Sequence, residues 1–423
     1  MWAYALGVVL VAIGILVSVY IHEAGHLVTA KMFGMKATRF FFGFGPTLWS
    51  FQKGETEYGI KALPFGGFCK ILGMTPEEED EMSEKDKPRS FIRFPAWKRT
   101  VVLVAGSLTH FVLAFVFLWV AILIWGITIQ VPPAQTAAVV DHPAKCVVLG
   151  NETDSTGNPR PCKAGDPASP AAAAGLKSGD RVTSINSIQT PTYAAFQQAL
   201  RKSPADGKTA VPLTYVRDGK TIITTVKLLT GQRRPLTASP NSKALVGTPV
   251  IGLYADLSRT THYGPIDGAG KAAQLTGTIF AGTFGAIAQV PEKIPNLLGS
   301  LVGGHRDVNG PVSVVGVSRL GGESLENQGP AGGFLILTIL ASLNVFIGVF
   351  NLVPLLPMDG GHVIVAWFQR TRSWFALRRG RPDPGPVDYA KLLPLTYAVA
   401  LVLVVFGVLT VAADIVNPIQ IFQ

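Results

Sequence analysis

Four stretches of this chain contain no aspartate, glutamate, lysine or arginine: Tyr4 to Ile21, Val101 to Trp125, Phe334 to Leu356 and Leu392 to Ala412. A helix rises about 1.5 Å per residue, so roughly 20 residues cross the roughly 30 Å of hydrocarbon in a bilayer. Each stretch is close to that length. Only 15% of the 423 residues are charged, against about a quarter in soluble domains, and that deficit is concentrated in these runs. The expectation is a polytopic α-helical membrane protein with four transmembrane helices. The first run has no basic start and continues into His22 and Glu23 with no small-residue cleavage site, so it is read as a retained span, not a cleaved leader.

The formal net charge of +10 raises nucleic acid as a partner, but its distribution points elsewhere. Of the 37 basic residues, 12 lie in the loop 31–99 and 6 in the loop 370–391. By the positive-inside rule these loops are cytoplasmic, which leaves both termini and the region of about 127–332 extracytoplasmic. Membrane lipid is the expected surroundings, and no nucleic-acid partner is expected. Cys69 then sits on the reducing side, whereas Cys146 and Cys162 bracket a polar loop on the oxidising side. A disulfide between those two, closing about 15 residues, contributes roughly 3 kcal/mol by chain entropy. Two free thiols are the alternative.

Between the spans the grammar changes. Ala37 to Phe51 and Glu57 to Leu72 are rich in Phe, Thr, Ile and Gly, broken by Gly43, Gly45 and Pro46, and read as a hairpin-like β-element over 37–72 against the membrane. The charged run 75–90 reads as a solvated linker. Farther on, Ala171 to Ala174 predicts a short helix, Arg181 to Asn186 a strand, and Thr192 to Arg201 a second helix. Val211 to Arg217 and Thr221 to Lys227 pair across Asp218-Gly219, a strong hairpin signal. This α+β pattern over 130–256 resembles an extracytoplasmic PDZ domain, and Ser169 to Val182 is similar to the variety found in bacterial membrane proteases. A PDZ domain takes a peptide or substrate tail as an added strand. The stretch 257–330 reads as an amphipathic, Gly-rich linker, either lying on the outer membrane surface or simply connecting.

His22-Glu23-Ala24-Gly25-His26 fits H-E-x-x-H, in which histidines one helical turn apart share a face and can bind one Zn²⁺. It ends a transmembrane run, where ionisable side chains cost about 2.5 to 3.5 kcal/mol each and are by default functional. Catalytic zinc takes three protein ligands and keeps a fourth position for water, so one ligand is missing. Asp359, in Asn351-Leu-Val-Pro-Leu-Leu-Pro-Met-Asp-Gly-Gly-His362, ends the third span and supplies it. The first and third spans run in the same direction, so His22, His26 and Asp359 arrive at similar depth. Pro354 and Pro357 break the helix there, exposing backbone that protein or a watery cavity must satisfy.

H-E-x-x-H in the first span, an interrupted Asn-x-x-Pro run ending Asp-Gly-Gly and an external PDZ-like region together resemble the site-2 protease family, most closely the bacterial regulators that cut anti-sigma factors, in an actinobacterial form. The resemblance covers nearly the whole chain. It implies a multi-pass protein of the bacterial plasma membrane, a zinc metalloendopeptidase with one Zn²⁺ per chain on His22, His26 and Asp359, Glu23 as general base, and Asn351 in contact with substrate. Its substrates would be single-span membrane proteins, anti-sigma factors among them, cut after a first cleavage by another protease. The 37–72 element would be the family's membrane re-entrant β-element. The implied order is a first span (1–30), cytoplasmic loop (31–99), second span (100–126), PDZ domain (130–256), linker (257–330), broken third span (331–365), cytoplasmic loop (366–391) and fourth span (392–413).

Two departures stand out. The second proline of the aspartate motif falls one residue late, at Pro357, and the second span reads Ala105-Gly106-Ser107-Leu-Thr-His110 where relatives often have Ala-Gly-Pro and Asn. The second makes His110 a rival ligand. His305 and His362 read as bystanders or as groups supporting the ligands. The competing functions are a PDZ-bearing scaffold or receptor with a vestigial metal site, and a metal transporter. A scaffold has no use for four costly polar groups at membrane depth, and a transporter needs ligands at several depths where this chain offers one cluster.

Overall fold

The structure, a computed structural model, describes residues 2–150, 160–233, 245–304 and 306–419, so His305 lies outside the described residues. The chain divides into two compact units, one formed by residues 1–126 with 262–423 and the other by 127–261.

The first unit opens with α1 (Trp2–Met32), apolar on all sides until its last turns. Gly34 ends it at φ 82°, the left-handed conformation of a helix C-terminus, with Met35 N–H donating back to Ala30 O at 2.9 Å. β1 (Ala37–Lys53) and β2 (Thr56–Ile71) then form an antiparallel hairpin over the residues read as a β-element. Its register is not that of a plain ribbon. Phe40 has two partners, Tyr58 and Cys69, so residues 39–42 lie between 57–60 and 67–70. A short helix, α2 (Pro76–Asp80), capped by the Thr75 hydroxyl, leads to α3 (Ala96–Trp125).

The second unit contains small antiparallel sheets. β3 (Ile127–Gln130) and β4 (Val140–Pro143) precede α4 (Pro170–Ala173), β5 (Arg181–Ile185), β6 (Ile188–Gln189), α5 (Tyr193–Arg201), β7 (Val211–Arg217) and β8 (Lys220–Val226). β9 (Leu229–Arg233), β10 (Val246–Val250), β11 (Leu253–Ala255) and β12 (Ser258–Thr261) complete it. One sheet has four strands in the order β6-β5-β7-β8, and β10-β9, β11-β4 and β12-β3 pair separately. The β7–β8 turn places Asp218 at φ 49° and Gly219 at φ 75°, the two left-handed residues a tight hairpin needs. Val182, Ile185, Leu213 and Phe196 pack in its core. Cys146 and Cys162 are joined in a disulfide.

Back in the first unit, α6 (Pro265–Leu301), α7 (Val314–Gln328), α8 (Gly333–Asn351), α9 (Asp359–Arg378) and α10 (Leu393–Val416) follow. The stretch 257–330 is thus largely helical; α6 runs for 37 residues through Pro291 and Pro295. Four helical stretches have the length and composition to cross a membrane: α1, α3, Val314–Asn351 and Tyr389–Val416. At the end of α10 the buried Asp414 accepts from Arg306 Nη2 at 2.7 Å and Ser313 N at 2.6 Å, pinning the loop before α7 to that helix.

A second ion pair holds the second unit. Asp180 accepts from Arg217 Nε and Nη2 and from Lys177 N, each at 2.7 Å, tying the turn before β5 to the end of β7. Burial pushes the Asp180 carboxyl up, but Arg217 and the Lys177 amide outweigh it and hold its pKa below the ordinary value. The stabilisation is therefore present above the unfolded carboxyl's pKa of about 4 and fades as pH falls through the lower folded value. Asp180→Ala is expected to cost about 2 to 3 kcal/mol, less than a fully buried pair because Arg217 reaches solvent. Hydrogen exchange on the whole protein should then show β5 and β7 amides exchanging about 30-fold faster or more; unchanged exchange there would contradict the assignment.

Candidate metal centre

His22 and His26 sit one turn apart on α1 and are buried. Their Nε2 atoms are 3.1 Å apart. Asp359 begins α9, after the prolines at 354 and 357 have ended α8 and a set of tight turns has carried the chain around. Met358 N donates to Leu355 O at 2.9 Å and Gly361 N to Met358 O at 3.0 Å, which defines the backbone path across the displaced proline. That path brings Asp359 Oδ2 to 3.5 Å from both histidine Nε2 atoms. No other group of three or more His, Cys, Asp or Glu side chains converges this way among the described residues.

The donor set fits zinc. Bonds of about 2.0 to 2.1 Å at tetrahedral angles put ligand atoms about 3.3 Å apart, and the three distances here bracket that value. Two imidazole nitrogens facing each other this closely need a proton or a cation between them. Asp359 Oδ2 is buried with no hydrogen-bond partner, an arrangement that is costly unless a cation is there to satisfy it. His26 Nδ1 lies 2.8 Å from Val102 O, and because a carbonyl only accepts, Nδ1 carries the proton and Nε2 is left to bind.

Glu23 lies between the histidines in sequence but outside the ligand cluster. Its Oε2 accepts from Cys69 N on β2 at 2.9 Å, a bond that ties the carboxylate to the hairpin. Helix α3 closes the site from another side. A Cβ on Gly25 would sit 2.8 Å from Ala105 O, and one on Gly106 would sit 2.5 Å from His26 Nε2 and 2.6 Å from His22 Cε1. Only glycine at 106 lets α3 approach this closely.

The other sequence candidates fall outside the cluster. His110 lies outside the convergent donor group, which is His22, His26 and Asp359 among the described residues; its Nδ1 is bonded to Asn344 Oδ1 at 2.8 Å. His362 stacks on Tyr389, ring centroids 5.9 Å apart. Asn351 is the last residue of α8, half-buried, and its side chain has no hydrogen-bond partner among the described residues. Asn344 and Ser18, buried polar residues inside α8 and α1, were missed by the sequence reading. The available signal was their polarity at membrane depth.

Two imidazoles one turn apart, a carboxylate between them and an aspartate delivered by a second, broken helix define a zinc metalloprotease whose site is built from membrane helices. Comparison with known proteins agrees. The model of peptidase family M50 matches residues 10–381, and the chain belongs to that family. It is 39% identical over 420 residues to zinc metalloprotease Rip1 of Mycobacterium tuberculosis and to that of Mycobacterium bovis, covering 99% of this chain and all of each relative. Rip1 of Mycolicibacterium smegmatis is 38% identical over 427 residues, with the same coverage. The chain is thus an intramembrane zinc metalloprotease.

Purified protein is expected to carry about one zinc per chain. Gly106→Ala, which forces a methyl against both imidazoles, should reduce that occupancy, as should His22→Ala, His26→Ala and Asp359→Ala. Metal analysis of the purified variants checks this; full zinc in Asp359→Ala would reject the ligand set.

Proposed function

We propose that this protease cuts single-span membrane proteins within the bilayer, using His22, His26 and Asp359 as zinc ligands and Glu23 as general base. The observation carrying the proposal is the convergence of three ligand atoms 3.1 to 3.5 Å apart, with an uncoordinated carboxylate on the adjacent residue. Zinc, when bound, lowers the pKa of its water towards about 7 and polarises the scissile carbonyl. Glu23 takes the water's proton and returns it to the leaving amine. The hydrogen bond from Cys69 fixes the carboxylate while leaving its other oxygen free for that exchange.

A transmembrane helix hides its peptide bonds in i to i−4 hydrogen bonds, so the substrate must unwind before it is cut. An extended strand can then pair with an edge of the 37–72 element, whose re-entry into the membrane is part of the proposal. Asn351, with its amide unspent at the end of α8, is suited to hold the strand's freed backbone groups. The basic loops 31–99 and 370–391 orient the protein with both termini and residues 127–261 outside the cell. Residues 130–256 act as a PDZ domain that takes a peptide end, which supports a substrate already trimmed by a first protease. Anti-sigma factors fit that description, since release from the membrane would free their cytoplasmic part.

Glu23→Gln is expected to keep its zinc and fold while losing at least about a hundredfold in cleavage, the scale of a lost general base. It should still capture substrate. Asn351→Ala should weaken both capture and cleavage and spare zinc. Mass spectrometry of the released fragment should place the cut in the cytoplasmic half of the substrate's span; a cut outside the membrane, or undiminished turnover by Glu23→Gln, would reject the mechanism.

A further inference from the structure

A metal-bound histidine ordinarily donates its second ring N–H to a carbonyl or carboxylate, and that bond sets the rotation of the ring. His26 has such a bond, to Val102 O. His22 does not: its Nδ1 is buried and has no hydrogen-bond partner. What meets the His22 ring is the ring of His110, with centroids 4.9 Å apart and planes inclined at 36°.

His110 is itself held through a chain of buried hydrogen bonds. Asn344 Nδ2 donates to Ser18 Oγ at 3.0 Å and to Leu340 O at 2.8 Å. Both amide hydrogens are thus spent, so the Asn344 atom facing His110 is the carbonyl oxygen, and His110 Nδ1 must carry the proton across that 2.8 Å contact. Ser18 donates to Gly14 O at 2.8 Å, which leaves its oxygen free to accept from Asn344. Each link from Gly14 O through Ser18 and Asn344 to His110 Nδ1 thus pairs one donor with one acceptor. Ser18, His110 and Asn344 are each 1% exposed and lie on α1, α3 and α8, so the chain joins three helices behind the metal ligands. In an apolar bundle a satisfied polar network of this kind is rigid, because any rotation strands a buried polar group.

We propose that His110, held by Asn344 and Ser18, is a positioning residue for His22, its ring face standing in for the hydrogen bond that His22 Nδ1 lacks. The inference rests on the reading of His22 as a zinc ligand. His110 thus acts on the metal through His22 without touching it. The departure at position 110 acquires a role in place of the rival-ligand one.

The test separates the ring face from the hydrogen bond. Replacing His110 alone would orphan Asn344 Oδ1, so Asn344→Leu is made in both variants, removing the two polar partners together. The His110→Phe Asn344→Leu protein keeps an aromatic face against His22; the His110→Ala Asn344→Leu protein does not. Zinc affinity is measured on full-length purified protein by chelator competition, and ligand geometry by the visible spectrum of the cobalt-substituted protein. The alanine variant should bind zinc about 10- to 100-fold more weakly and shift the cobalt spectrum, while the phenylalanine variant stays within about threefold of the parent. Parent-like affinity and spectrum in the alanine variant would overturn the proposal, and so would equal losses in the two variants. His22→Ala is the control: if it retains zinc, the ligand reading has failed, whereas loss there with no loss on removing His110 rejects only the positioning role.

Discussion

Everything in the membrane-embedded half is arranged around one convergence, that of Asp359 with His22 and His26. Placing three polar groups at membrane depth is costly, and a carboxylate against two imidazole nitrogens needs a cation or shared protons to satisfy all three. The fold accommodates this with two incompatible demands met in one place: α1 must continue unbroken past both histidines, while the α8–α9 segment must break so that its aspartate turns inward. The prolines at 354 and 357 supply the break, and the tight turns after Leu352 supply the path.

Around that convergence, specificity of position comes from close backbone approach and from one strand edge. Gly25 and Gly106 bring α1 and α3 into contact at the level of the ligands. On another side, the Cys69 amide of β2 donates to Glu23 Oε2. Glu23 and the hairpin are thereby linked, so under the proposed function a strand arriving at the 67–70 edge would meet the general base and the zinc ligands together. In the proposed mechanism, substrate unwinding, strand capture and proton transfer share that one small volume.

Much of this was legible in sequence because it rests on local periodicity. The spans follow from runs without charge, His22 and His26 from a one-turn spacing, and the β7–β8 turn from Asp218-Gly219. Asp359 was reachable by counting ligands and matching depth. Less local features were not legible. The helices of 257–330 were hidden by their glycines and by Pro291 and Pro295, which lower helix propensity where packing decides the outcome. The double pairing of residues 39–42 depends on a strand folding back on itself, which alternation alone does not specify. Ser18, His110 and Asn344 are scattered over 326 positions, and only the crossing of three helices makes them neighbours.

The account stands on the composition of the metal's coordination sphere, and X-ray absorption at the zinc edge of the purified, full-length protein reads that directly. The account predicts only nitrogen and oxygen neighbours at about 2.0 to 2.1 Å, with scattering from two imidazoles. A sulfur neighbour at about 2.3 Å, which would bring in Cys69, or scattering from three imidazoles, which would bring in His110 or His362, would contradict it.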